Sequence, residues 1–184
     1  KDHDHAGAIF AGAGSNGAKL TGYEPEIVDA IAGAGWFDSI LVEADGSRRR
    51  PLKAPAGHEP VFPGSSDAVI MVAGLNGVGQ MLHEDNVFRA GVWARLTGLK
   101  IGDRITPDCL AVMISSSAGL ARGCPAQAGK TAFLNRADRP RNLDAARKVR
   151  QALADSGDDG AVRLVAGRLL PDPAVVELPG PNAV

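Results

Sequence analysis

The sequence predicts an α/β fold: one mostly parallel sheet with helices on both faces. Short apolar runs of strand length, rich in Val, Ile, Leu and Ala, recur at residues 39–43, 68–73, 131–134 and 161–166. Segments with helical apolar spacing, at 26–34, 87–96, 106–114 and 143–154, alternate with them. That alternation marks parallel strands joined by helical crossovers. The length of 184 residues suits a single α/β domain over 1–184, with 1–6 and 178–184 expected to fray.

Each element has a local cause. Residues 7–17 are rich in Gly and Ala around a short apolar piece at 8–11. Pro25 stands where a helix's first turn tolerates it, and Gly33 and Gly35 end that helix. The run Ser39-Ile40-Leu41-Val42-Glu43 reads as a buried strand stopping at Ala44-Asp45-Gly46. A loop dense in Arg, Pro and Gly follows, from 47 to 66. The strand at 68–73 is punctuated by Gly74, and Thr106-Pro107-Asp108 reads as an N-cap with Pro at the first helical position. The third strand runs into Asn135, and a Pro-containing tail begins at Leu178.

Composition excludes several function classes. A chain with 45% hydrophobic and 22% charged residues is an ordinary globular protein. Its net charge of -1 argues against a dominant nucleic-acid surface. No apolar run approaches the roughly 20 residues of a membrane helix. The two cysteines, Cys109 and Cys124, are too few for a disulfide framework or an all-Cys zinc site, so a reducing cytoplasm is the expected location.

In parallel sheets ligands bind beyond the carboxyl ends of the strands, which directs attention to Glu43, Asp45, Gly46, Gly74, Asn135 and Asp138. An apolar strand ending in acid is how P-loop NTPases position Mg²⁺ or its water shell. Asp45, with Glu43 beside it, is the candidate for that metal and catalytic role. The competing reading is a strand ending in an Asp-Gly turn. Arg48, Arg49, Arg50 and Lys53 follow directly. Guanidiniums bind phosphate oxygens bidentately and Lys adds a point charge, so with Gly46 they form a candidate phosphate site. Four prolines stiffen this loop, and His58-Glu59 adds an acid/base pair, with Glu59 placed among the ligand-binding residues. The competing reading is a solvated charge run, or salt bridges joining Glu43 or Asp45 to Arg49. Asn135-Arg136-Ala137-Asp138 fits the Asn-Lys-x-Asp pattern that reads guanine, with Arg in place of Lys. The stem of Arg136 would cover the ring and Asp138 would accept from the base. Two glycine segments, 123–131 and 12–19, depart from the Walker A spacing, so the chain contains no valid Walker A.

Together these segments resemble the YqeC family. The strongest block is Val42-Glu43-Ala44-Asp45-Gly46-Ser47-Arg48-Arg49-Arg50-Pro51-Leu52-Lys53-Ala54-Pro55, continuing into His58-Glu59-Pro60. Weaker blocks are Lys19-Leu20-Thr21-Gly22 with Pro25-Glu26, Asp67 through Arg89, and Gly119 through Asp138. The resemblance implies a P-loop NTPase-like fold, incomplete at the N-terminus because the family's Walker A precedes the region where this chain begins. It also implies an accessory role in maturing a selenium-dependent molybdenum hydroxylase, the client partner. Two activities follow as expectations. One is a GTP- or ATP-hydrolysing NTPase using Mg²⁺, with Asp45 and Glu43 catalytic and Asn135, Arg136 and Asp138 on the base. The other is a non-catalytic binding or chaperone module that holds a molybdopterin dinucleotide or another phosphate-bearing ligand through Arg48, Arg49, Arg50 and Lys53.

Overall fold

The structure is a computed structural model that describes residues 7–17, 19–157 and 160–178. They divide between two compact units, one of residues up to 40 together with 63–65, the other of 41–62 and 66 onward. In the first, β1 (Gly14–Asn16) and β2 (Lys19–Thr21) form an antiparallel hairpin pairing Gly14 with Thr21. Helix α1 (Pro25–Gly33) starts on its proline as expected. Its Asp29 accepts hydrogen bonds from the Gly64 and Ser65 amides and from the Ser65 hydroxyl. These contacts, the Ser65 hydroxyl foremost, hold its carboxyl below the usual range.

The second unit is built on a four-stranded sheet in the order β4-β6-β7-β8: β4 (Ala68–Gly74), β6 (Gly129–Asn135), β7 (Arg163–Arg168) and β8 (Ala174–Glu177). The first three run parallel and β8 is antiparallel to β7, so the α/β class and the mostly parallel sheet are as the sequence implies. A separate parallel pair joins β3 (Leu52–Lys53) to β5 (Val87–Phe88). Helices α2 (Ala90–Thr97), α3 (Pro107–Ser115) and α4 (Pro140–Asp155) complete the unit. Met71, Ala73, Ala132, Leu134, Leu164 and Ala166 share one sheet face. They form a single core with Trp93 of α2, Leu110 and Met113 of α3, and Val149 and Leu153 of α4. On the opposite face Ile70 and Val72 are 62% and 60% exposed, and Val175 is 60% exposed.

Several elements differ from expectation. Residues 39–43 are not a strand; Leu41 is 95% exposed. An apolar run becomes a strand only where a neighbour takes its N–H and C=O groups, and among the described residues none pairs with this one. Residues 87–96 are not one helix: 87–88 belong to β5, and α2 begins later because the Glu84 carboxylate accepts from the Arg89 and Ala90 amides, 3.1 and 2.8 Å. Thr106 caps α3 as expected. Leu178, expected to fray, is 9% exposed, and its amide donates to Leu164 O. Residues 1–6 and 179–184 lie outside the described residues. No described helix is long and apolar enough to cross a membrane.

The one-sided core makes a measurable asymmetry. Leu134→Ala should cost about 3 kcal/mol in urea unfolding, whereas Ile70→Ala on the open face should cost less than about 1 kcal/mol. Equal losses would contradict this placement of the core.

Candidate functional site

Two charged regions of the sheet unit carry the sequence-predicted residues. The first is the loop after residue 44. It is tied to the sheet where the Gly74 amide donates to Pro51 O at 2.8 Å. A Cβ on Gly74 would stand 2.9 Å from that carbonyl, so only glycine permits the approach. Arg48 and Arg49 follow one another in the left-handed region, φ 50 and 65. Arg50 does not point to an open anion site: its Nε donates to Glu84 O at 3.0 Å and its Nη1 to Arg48 O at 2.9 Å.

Lys53 projects from β3 into a quartet of charges. Its ammonium pairs with Asp45, pairs with Glu59 at 3.1 Å, and donates to Gly46 O at 2.8 Å. Arg89 meets Glu59 Oε2 from the other side at 2.5 Å and donates to Ala54 O. These four side chains are 11 to 22% exposed, and two cations balance two anions, which is what makes their partial burial tolerable. Phe88 floors the group: the guanidiniums of Arg89 and Arg48 lie 4.3 and 4.7 Å from its ring centroid, and Lys53 Nζ 5.5 Å. Arg122 clamps the far side of the loop by donating to the carbonyls of Ala56, Gly57 and Glu59. His58 is mostly exposed, its Nε2 3.6 Å from Glu59 Oε1.

Electrostatics follow from this packing. The Arg89 guanidinium, opposed by burial and aided by Lys53, pulls the Glu59 carboxyl down to about 2 from an ordinary 4.5. Burial pushes the Lys53 ammonium down, and Glu59 resists the shift. Asp45 was the expected Mg²⁺ ligand. As arranged, an ammonium already occupies the place beside its carboxylate that a cation would take. Among the described residues no three His, Cys, Asp or Glu side chains cluster to hold a metal ion. This arrangement does not fit Mg²⁺ at Asp45. Glu43 is exposed and joins no ion pair among the described residues.

The second region is a cleft of about 370 Å³ at the carboxyl ends of β4 and β6. The parallel register sets Gly74 beside Asn135, so the segments leaving both strands emerge together. Asn76 and Gln80 come from the turn after β4. Arg136, Asp138 and Arg139 come from the loop after β6, and Arg141 and Asn142 from the first turn of α4; Pro51 and Asn86 complete the lining. The β6 loop is held by its own bonds. Asn135 Oδ1 accepts from the Arg136 amide at 2.8 Å, Ala137 N donates to Gly167 O, and the 4%-exposed Asn142 donates to Arg136 O at 2.6 Å. Arg136 itself adopts φ 70. Among the described residues the guanidiniums of Arg136, Arg139 and Arg141 and the carboxylate of Asp138 form no ion pair.

The structure thus gathers Asp45, Gly46, Arg48, Lys53 and Glu59 around Phe88. It sets Arg136 and Asp138 in the cleft, and turns Asn135 onto its own backbone. Sequence reasoning missed Arg89 and Phe88, which lay inside an assumed helix. It also missed Arg139 and Arg141, whose signal was two arginines flanking Pro140 at a helix start.

A model of the family described as "YqeC protein" matches residues 1–91, a span that contains the whole charge quartet. A protein of Escherichia coli (strain K12), called "Uncharacterized protein YqeC", is 35% identical over 139 residues, 76% of this chain. The chain belongs to the YqeC family. It spans about half of that relative, 54% of its length. No solved structure matches it.

In this YqeC-family chain Glu59 supplies an acid-sensitive brace. Its carboxyl is lowered on folding, so the stabilisation is full above about pH 4.5 and is lost as pH falls toward 2. Glu59→Gln should cost about 2 kcal/mol at pH 7 and flatten the loss of stability between pH 5 and 2, read by urea unfolding across pH. An unchanged acid limb would contradict the assignment.

Proposed function

We propose that this YqeC-family chain binds a phosphate-bearing small molecule in the cleft beyond β4 and β6, as part of a cytoplasmic accessory protein for a selenium-dependent molybdenum hydroxylase. The ligand classes are a guanine or adenine nucleotide and a molybdopterin dinucleotide. The observation that carries the binding reading is that Arg136, Arg139 and Arg141 line one cleft and form no ion pair among the described residues. Arginine forks match phosphate oxygens, and the positive end of α4 adds to the field. The client and the maturation role come from the family resemblance.

Binding without turnover is the reading this geometry favours over hydrolysis. Asp45, the residue hydrolysis would need, is engaged by Lys53; of the loop cations expected at the phosphates, Lys53 is neutralised, Arg50 donates to carbonyls and Arg48 lies over the Phe88 ring. An NTPase cycle would require Asp45 to leave Lys53.

Titration calorimetry with GDP, GTP and ATP tests the proposal. Each lost arginine should weaken phosphate binding about tenfold, so Arg139→Ala with Arg141→Ala should weaken it about 100-fold. Raising salt should weaken the wild-type complex as well. Equal affinity in wild type and double variant, or no binding of any nucleotide at about 1 mM, would refute the cleft as the site. Phosphate release measured on the same samples reports on the hydrolytic reading.

A further inference from the structure

We infer that the free edge of β4 is the docking line for a further β-strand, an extended apolar segment supplied by the part of the YqeC-family protein that this chain does not span. The inference is independent of the ligand proposed for the cleft. Two hydrogen bonds fix which backbone groups of β4 are open. Asp67 O accepts from Gly129 N, so the odd-numbered residues of this stretch turn their backbone groups toward β6. Gly74 N donates to Pro51 O on the other side, so the even-numbered residues turn theirs away from β6. Ala68, Ile70 and Val72 therefore present N–H and C=O groups to a side on which β4 has no neighbouring strand among the described residues. Their side chains are exposed as well.

Sheet edges are normally guarded by charge, proline, a bulge or brevity. The opposite edge of this sheet has two of these devices: β8 is four residues long and is preceded by Pro171 and Pro173. β4 has none. Its seven residues include no charge and no proline, and its register with β6 is unbroken by a bulge. An edge of this composition left open invites aggregation, which marks it as a surface that is covered in use. The edge also specifies its cover. A row of alternating backbone donors and acceptors is satisfied by an extended segment, and the aliphatic flank of Ile70 and Val72 calls for apolar cross-strand neighbours. A second copy of this chain fits poorly. A twofold ladder centred on Met71 would set Ala68 of the copy opposite Gly74, and Pro51 already holds that place. A family source is at hand: this chain spans 54% of the Escherichia coli relative, so nearly half of that protein lies outside the matched part.

Amide hydrogen exchange tests the inference, read residue by residue in the 184-residue chain and in the full-length Escherichia coli relative. In the dilute chain the Ile70 and Val72 amides should exchange at least about tenfold faster than those of Val69, Met71 and Ala73. In the relative, the positions aligned with Ile70 and Val72 should be as protected as their neighbours. Equal protection of all five amides in the dilute chain overturns the inference, because the edge is then not open. Fast exchange at the aligned positions of the relative overturns it too, because the edge is then never covered. Protection of Ile70 and Val72 that grows with chain concentration, together with a dimer in analytical ultracentrifugation, assigns the edge to a second copy and overturns the occupant named here.

Discussion

The parallel pairing of β4 with β6 is the constraint on which the rest of the sheet unit depends. Seven residue pairs in register, from Ala68 with Gly129 to Gly74 with Asn135, fix both strands in one direction. Parallel neighbours cannot be joined by a tight turn, so the chain must travel back to the start of the sheet between them. Residues 75–128 make that journey, carrying β5, α2 and α3, and α4 makes the shorter return between β6 and β7. The returning helices bury their apolar residues on one face, which builds the core. The same register leaves two loops side by side at the carboxyl edge, so one geometric requirement produces both the core and the cleft.

Arginine does two different jobs in this unit. Arg50, Arg89 and Arg122 donate to backbone carbonyls or carboxylates and tie loop to loop across long stretches of sequence. Arg136, Arg139 and Arg141 have no such partners among the described residues and face a cleft. A guanidinium whose donors are satisfied by protein oxygens is part of the scaffold. One whose donors meet only solvent can exchange that solvent for an anion at small cost. Residue type alone does not distinguish the two; the partners do.

This explains what was legible in the sequence. The apolar runs at 68–73, 131–134 and 161–166 matched β4, β6 and β7 because strand-length apolar runs are a signal that local reading detects, although in β4 only alternate residues are buried. Thr106-Pro107 marked the start of α3 because capping is local chemistry. The run at 39–43 carried the same apolar signal without becoming a strand, since pairing depends on a neighbour that the run does not encode. The short β3–β5 pair was hidden because each strand has two residues, too few for any period. Arg136 and Asp138 could be picked out by their place after a strand, whereas Arg89 acquires its partner Glu59 only through the fold.

The charged loop after residue 44 is the most distinctive stretch of the chain, and its chemistry bears on where an anion would bind. A phosphate arriving at Lys53 would compete with Asp45 and Glu59, two carboxylates already held close to that ammonium. The exchange would trade one anion for another and leave at least one carboxylate partly buried beside no cation, a loss that offsets the gain. An anion arriving at Arg139 and Arg141 displaces only water. The quartet is therefore better suited to holding the loop, with Pro51 among the residues lining the cleft, than to holding a ligand. A dense charge motif marks a functional site only when its charges are not already balanced against one another: the quartet of Asp45, Lys53, Glu59 and Arg89 is balanced, whereas Arg136, Arg139 and Arg141 beside the cleft are in no ion pair among the described residues.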